Sequence, residues 1–343
     1  MKSSWLEDLE DRRASPKLLS TAHSTGHEGS SFASYTEILM RYCNRQATYA
    51  SDMVNGVVGF YERVVGRNYG GHVFGMPIVA FDWFMCFFLE VGNPKFYLER
   101  QKPMPSWTWA GWKGRRNWVS EKATDNEILT WTSERTWIIW YQRQPASPPR
   151  LIWERFGSDK KHSTISPEKI VNDRLIKIRN FAEESLPILP TRHVPASIGP
   201  QANLLQFWTF SATFSLHVDQ EVEEKSKTDI FFLHHMTVGV LGQDGRFWGM
   251  VYVDEKSSKR DYEVAELIVI STHEKMWDED WPSPTCPSHE YKLHRQENGR
   301  WHDVLFVEEK SGIAERKGFG QLWLSPIKLT AGSPWKWKEI ILG

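Results

Sequence analysis

The chain has 343 residues, with 42 Lys and Arg against 43 Asp and Glu and a net charge of −1 at pH 7. So close a balance excludes a surface dominated by basic charge, which binding to nucleic-acid phosphates through charge requires. With 40% apolar residues, the length suffices for two domains or one large one with a sizeable core.

Three cysteines, Cys43, Cys86 and Cys286, lie far apart and form neither a CxxC pair nor a zinc spacing. Reduced thiols and no disulfide framework are expected, which agrees with a cytoplasmic protein. Residues 1–34 lack the apolar run of a secretory leader. The stretch Ser20 to Ser34 is rich in Ser, Gly and His, so residues 1–34 read as a disordered polar leader. His23 and His27 stand four apart, but without a helical background or a third ligand they read as exposed imidazoles.

Residues 35–125 read as a helical region. Tyr35, Ile38, Leu39 and Tyr42 form one stripe of a helix from about Ser34 to Asn44, and Val54, Val57, Val58, Tyr61 and Val65 recur at helical spacing behind Ser51-Asp52. Asp52 serves there as a first-turn carboxylate. Val73 to Val91 is nearly apolar enough to span a membrane, but Pro77, Asp82 and Glu90 interrupt it, and a charge at the centre of a span costs about 2.5–3.5 kcal/mol. No span is expected. A buried helix from about Ile78 to Val91 answers better, with Pro77 in its first turn and Gly92-Asn93-Pro94 as its stop.

The helical region ends in PSWTWAGWKG, residues 105–114. Trp107, Trp109 and Trp112 are separated by small or hydroxyl side chains, and Gly111 and Gly114 permit unusual backbone angles. Indoles at this density require a shaped surface and acceptors for their N–H groups. The segment reads as an ordered corner joining the helices to the β-rich part of the chain, with Lys113, Arg115 and Arg116 as a solvated rim.

Residues 126–343 read as β-rich with one interposed helix. Glu127 to Thr132 and Thr136 to Tyr141 are expected strands, Pro145 to Pro149 a turn, and residues 166–184 a helix opened by Ser166-Pro167-Glu168. Leu204 to Val218 ends in alternation, with Trp208, Phe210, Ala212, Phe214, Leu216 and Val218 on one side. Thr237 to Leu241 and Phe247 to Val253 flank an Asp-Gly turn, a strong hairpin signal. Glu263 to Ser271, Trp301 to Glu308 and Gly318 to Leu324 supply further strands, the last two pairing across Lys310-Ser311-Gly312. The apolar ending from Trp335 must lie against the same strands. The fold class is therefore α+β, a helical segment followed by a mainly antiparallel sandwich or irregular barrel.

Four blocks resemble the fungal heterokaryon-incompatibility (HET-domain) proteins, in the region downstream of the HET domain. Pro105, Ser106, Trp107, Trp109, Ala110, Gly111 and Trp112 match its Pro-Ser-Trp-Ser-Trp-Ala-Gly-Trp signature. Arg45, Thr48, Tyr49, Asp52, Asn55 and Gly59 match a helical motif, with Ala47 and Gly56 departing from it. Gly75, Pro77 and Phe81 are similar to its Trp-Gly-Leu-Pro segment. Glu315, Arg316, Gly318 and Gly320 resemble a Glu-Arg-x-Gly-x-Gly block, although Lys317 replaces an apolar residue, and Trp337, Lys338, Leu342 and Gly343 resemble the closing block. The blocks span Arg45 to Gly343, and only the polar leader stands where the HET domain would precede Tyr35. The resemblance implies nonself recognition and programmed cell death, with a HET-domain-bearing protein as partner.

No nucleophile elbow, Walker loop, HExxH or GxGxxG occurs, so no catalytic residue, metal ligand or cofactor site is assigned. His234 and His235 adjoin a strand and would face opposite sides. Asp278, Glu279 and Asp280 read as a solvated loop, Asp52 as a helix-capping acid, and Glu315-Arg316 as a cross-strand ion pair. Three alternatives stay open: a non-enzymatic accessory region, a β-rich ligand-binding or hydrolytic domain with dispersed site residues, and a truncated family member or incomplete gene model.

Overall fold

The computed structural model describes residues 30–43, 50–89, 99–102, 104–113, 116–118, 123–145, 147–157, 166–181, 185–199, 202–217, 237–253, 261–274, 299–327, 329 and 333–343. Arg45, His23, His27, His234, His235, the 278–280 acidic run, Cys286 and residues 1–29 of the expected leader lie outside them.

Helix α1 (Ser31–Cys43) buries Phe32, Tyr35, Thr36, Leu39 and Cys43 along one stripe. It starts inside the stretch expected to be a disordered leader, because a distant carboxylate caps it. Asp125 accepts the Ser31 and Phe32 amides at 2.9 and 2.8 Å and the Ser30 hydroxyl at 2.9 Å, satisfying donors that a helix start leaves unpaired. Helix α2 (Ala50–Tyr61) runs through a π turn (Glu62–Gly66) into the short α3 (Arg67–Tyr69). Met53, Val57 and Tyr61 of α2 and Val65 of the π turn are buried, and both elements pack on α1.

Strands β1 (His72–Val73) and β2 (Met76–Pro77) form a tight hairpin. Its turn residues Phe74 and Gly75 both have positive φ, 52° and 73°, the pattern that matches strand twist. The expected helix from Ile78 to Val91 is corrected: a 3-10 turn (Ile78–Ala80), a short α4 (Phe81–Met85) and strand β3 (Phe87–Leu89) stand there instead. The Met85 and Phe87 carbonyls, which a continuing helix would use internally, instead accept from the buried Arg316 guanidinium. Strand β4 (Glu99–Arg100) pairs with β5 (Trp112–Lys113), and β3 with β6 (Arg116–Trp118).

A second correction falls at Glu127 to Thr132, which lies in helix α5 (Asp125–Arg135) and not in a strand. Thr124 and Glu127 form a reciprocal capping box, the Thr124 hydroxyl accepting the Glu127 amide and the Glu127 carboxylate accepting the Thr124 amide. Residues 136–140 pair with no strand, because the Thr136 and Ile138 carbonyls accept from Lys177 and Arg174. The strand expected there is displaced to β7 (Tyr141–Arg143), which pairs with β8 (Arg150–Leu151). Helix α6 (Pro167–Arg179) has Ser166 as its N-cap and a proline in its first turn.

Strands β9 (Leu204–His217), β10 (Thr237–Leu241), β11 (Phe247–Val253), β12 (Tyr262–His273), β13 (Arg300–Lys310) and β14 (Ile313–Leu324) pair in the order β9, β12, β13, β14, β11, β10 and back to β9. All these pairings are antiparallel and close an irregular barrel. Leu216 lies between Val240 of β10 and Tyr262 of β12, which shows the closure directly. β15 (Lys336–Leu342) runs beside the first half of β9 and touches β14 in parallel, so the apolar ending packs on the sheet as expected. Thr209 and Ser211 of β9 are buried as well as Phe210 and Ala212. The clean alternation therefore appears only from Ala212 onward, with Thr213 and His217 exposed and Phe214 and Leu216 buried. Gly318 and Gly320 each bring β11 within 2.3 Å of where a Cβ would sit, a closeness that only glycine allows. Among the described residues no helix is long and apolar enough to cross a membrane.

Candidate functional site

The tryptophan corner is held by its own short side chains. The Pro105 carbonyl accepts from the Thr108 hydroxyl at 3.1 Å, and that hydroxyl in turn accepts the Gly111 amide at 3.0 Å, capping a 3-10 turn over Trp109–Gly111. A Cβ on Gly111 would lie 2.1 Å from the Pro105 carbonyl oxygen. Trp107, Trp109 and Trp112 are 0, 0 and 1% exposed, and each indole N–H has an acceptor as burial requires. Trp109 donates to Phe74 O at 2.8 Å, Trp107 to Asn203 O at 3.3 Å and Trp112 to Ser106 O at 2.7 Å. One indole thus locks the β1–β2 turn at Gly75 while another holds the entry to β9.

Ser106 ties this corner to the start of β14 and to the residue that follows β15. Its amide donates to Gly343 O at 3.0 Å, and its hydroxyl donates to the same oxygen and accepts the Arg316 amide at 2.8 Å. The Gly343 amide closes the knot on Ala314 O at 2.9 Å. Arg316 is 2% exposed and lies 3.7 Å from the Phe87 ring centroid. Burial pushes its guanidinium down to about 9, and the nearby Cys86 works the other way. No carboxylate contacts it among the described residues; its donors go to backbone carbonyls. Arg316 is therefore not one half of a hairpin ion pair. Glu315 stands opposite Glu308 and pairs with Arg100 at 3.1 Å, and Arg100 also donates to Gly111 O at 2.8 Å. Burial opposes ionisation of Glu315, yet Lys317 and Arg100 hold it below the usual carboxylate range.

The structure brings Gly75, Ser106, Trp107, Trp109, Gly111, Trp112, Glu315 and Arg316 into one connected region. Asp52 and Asn55 are elsewhere, exposed on α2. Pro77 is buried beside the 3-10 turn, and Ala110 within the corner.

Two titratable clusters carry no motif in the sequence. In the first, Asp303 is fully buried and accepts from Ser271 at 2.5 Å and Gln321 at 2.8 Å, with His273 Nε2 at 3.2 Å. Ser271, Asp303 and Gln321 are direct cross-strand neighbours on β12, β13 and β14, and a bulge between Val269 and Ser271 sets that register. Burial raises the Asp303 pKa, but His273, Ser271 and Gln321 more than offset it and hold the group below the usual range. On the neighbouring position His302 Nδ1 lies 2.8 Å from the Thr272 hydroxyl, and burial drives this imidazole down to about 4. In the second cluster Asp82 binds Arg174 at 2.6 and 3.0 Å and accepts Trp140 Nε1–H at 2.8 Å. Arg174 also stacks 4.6 Å from the Trp153 ring.

Chemically the first cluster is an inverted triad. Hydrolysis by a serine requires the imidazole between hydroxyl and carboxylate, whereas here the carboxylate stands between the two and all three groups are buried. It pins strand register. The sequence signal for it is the run His302-Asp303 inside an otherwise apolar strand, a polar pair at core positions that demands partners. Among the described residues no three His, Cys, Asp or Glu side chains are placed to hold a metal ion. Cys43 and Cys86 are buried, and the Cys86 thiol donates to Asp82 O at 3.3 Å. Comparisons with protein-family models, with curated proteins and with solved structures give no match to this chain.

Proposed function

We propose that this chain is a non-enzymatic accessory region of a heterokaryon-incompatibility-type protein, acting in the cytoplasm in fungal nonself recognition and the cell death that follows it. One observation supports the reading. Ser106 of the tryptophan block touches Gly343 of the closing block at 3.0 Å and Arg316 of the Glu-Arg-x-Gly-x-Gly block at 2.8 Å, across 237 and 210 positions of chain. Motif blocks that meet at one knot act as parts of one device. At the knot the Ser106 amide and hydroxyl are engaged with the Gly343 carbonyl and the Arg316 amide, an arrangement that fixes the relative position of chain segments. A HET-domain-bearing protein is the partner in this reading, with no nucleic acid and no cofactor.

Expression of the chain in a fungal host tests it. The expected outcome is accumulation in the cytoplasm without cell death, together with co-precipitation of a HET-domain-bearing protein from the same strain. Death caused by this chain alone and abolished by a point substitution within it contradicts the reading. So does turnover of an ester or nucleotide by the purified protein.

A further inference from the structure

Residues 185–199 cross the face of β9 and β15 as an extended strap. Leu186, Ile188, Pro190, Arg192 and Val194 are half-buried while the residues between them are exposed, a period of two. Among the described residues no backbone-to-backbone hydrogen bond joins the strap to the sheet. Side chains of an intact sheet read it instead. Trp337 Nε1–H donates to Pro187 O at 2.7 Å and Trp208 Nε1–H to Leu189 O at 2.9 Å, from two indoles stacked with centroids 6.5 Å apart and planes 13° apart. Two residues further on, the buried Glu339 carboxylate accepts the Thr191 amide and hydroxyl, each at 2.7 Å, and the Arg192 amide at 3.0 Å. Gln206 donates to Arg192 O at 2.9 Å and to Glu339 at 2.8 Å.

From this geometry we infer that the Trp208–Trp337–Glu339 face is a recognition surface for an extended, proline-containing peptide, filled here by the chain's own residues 186–192 and open to exchange with a like segment of a partner protein. Proline-rich segments dock in aromatic-lined grooves, and here two indole N–H groups meet carbonyls two residues apart. The prolines limit the entropy lost on binding. The Glu339 latch adds direction and sequence preference, since it needs a hydroxyl and two free amides just after the second proline. Exchange is feasible because the strap is anchored by side chains alone and leaves Leu189 62% exposed, features of the least stable parts of a fold. This surface does not depend on the incompatibility reading.

A fluorescent peptide of residues 185–195, SLPILPTRHVP, titrated into the full chain tests the inference by anisotropy. The strap competes in cis, so the wild-type protein binds weakly in proportion to its open fraction. Thr191→Ala/Arg192→Ala weakens the strap's own latch and leaves the surface intact; it is expected to bind the peptide at least tenfold more tightly. Adding Trp337→Phe, which removes one donor, is expected to lose that gain, as is a peptide with both Pro187 and Pro190 replaced by alanine. Should the double variant fail to fold, amide exchange on the wild-type chain decides: millimolar peptide is expected to speed exchange at Thr191 and Arg192. Unchanged affinity in a folded double variant, equal binding of the proline-free peptide, or unchanged exchange at those amides overturns the inference.

Discussion

Replacing Trp109 by alanine removes a wholly buried indole that ties the tryptophan corner to the β1–β2 turn. The side chain is wholly buried and its N–H meets Phe74 O at 2.8 Å. Loss of a buried indole costs about 3–5 kcal/mol when the site cannot collapse, and here the rigid turn at Phe74 and Gly75 resists collapse. Against a typical total stability of about 5–15 kcal/mol, the variant is expected to unfold at far lower urea concentration. Trp109→Phe separates the two contributions. It keeps most of the ring but leaves the half-buried Phe74 carbonyl unmet, which costs about 1 kcal/mol for the hydrogen bond beyond the smaller loss of packing. Phe60→Ala, at a position 46% exposed, serves as control and is expected to change stability by less than about 0.5 kcal/mol. Urea unfolding followed by far-ultraviolet circular dichroism measures all three. A Trp109→Ala midpoint equivalent to a loss under about 1 kcal/mol refutes the view that the corner carries the junction.

Arg174→Met strands the Asp82 carboxylate in the core and is expected to cost about 3–5 kcal/mol, with Asp82→Asn/Arg174→Met recovering part of it in a double-mutant cycle; additive effects would contradict a buried pair. His302 makes stability depend on pH. Its imidazole protonates near pH 6.5 when unfolded and near 4 when buried, so between those values the unfolded chain binds more protons and stability rises with pH. The rise from pH 4 to 7 amounts to about 3 kcal/mol at about 1.4 kcal/mol per unit, and His302→Gln is expected to flatten it; an unchanged slope would exclude His302 as the cause. Deletion of residues 335–343 removes β15, the pairing partner of β9 from Leu205 to Ser211, and is expected to abolish cooperative folding. A soluble deletion variant that melts cooperatively would show β15 to be dispensable.

Elements whose signals are local were legible in the sequence. The Asp-Gly hairpin, the Ser166-Pro167 helix start and the burial of the three corner indoles all follow from neighbours in the chain. What the sequence did not disclose depends on distant partners. The start of α1 is set by Asp125, some ninety residues away, and the end of α4 coincides with carbonyls captured by Arg316 from the other end of the chain. The α5 error has another source, because Thr124 and Glu127 spell a capping box that outweighs the β-like run behind them. For the site, the tryptophan block announced its own burial, while the Asp303 cluster is assembled from three strands whose register rests on a bulge. The strap on Trp208 and Trp337 is likewise invisible until β15 is laid beside β9.

The meeting of the motif blocks at Ser106, Gly343 and Arg316 is expected to make the helical layer and the barrel one cooperative unit. Native-state hydrogen exchange tests this most directly, through the amides that form the knot and those of the barrel. The amides of Ser106, Gly111, Arg316 and Gly343 are expected to exchange with the same opening free energy as those of β9 and β13, and to respond equally to denaturant. Exchange of Ser106 and Gly111 through a low-energy opening that leaves β9 and β13 protected would contradict this cooperativity.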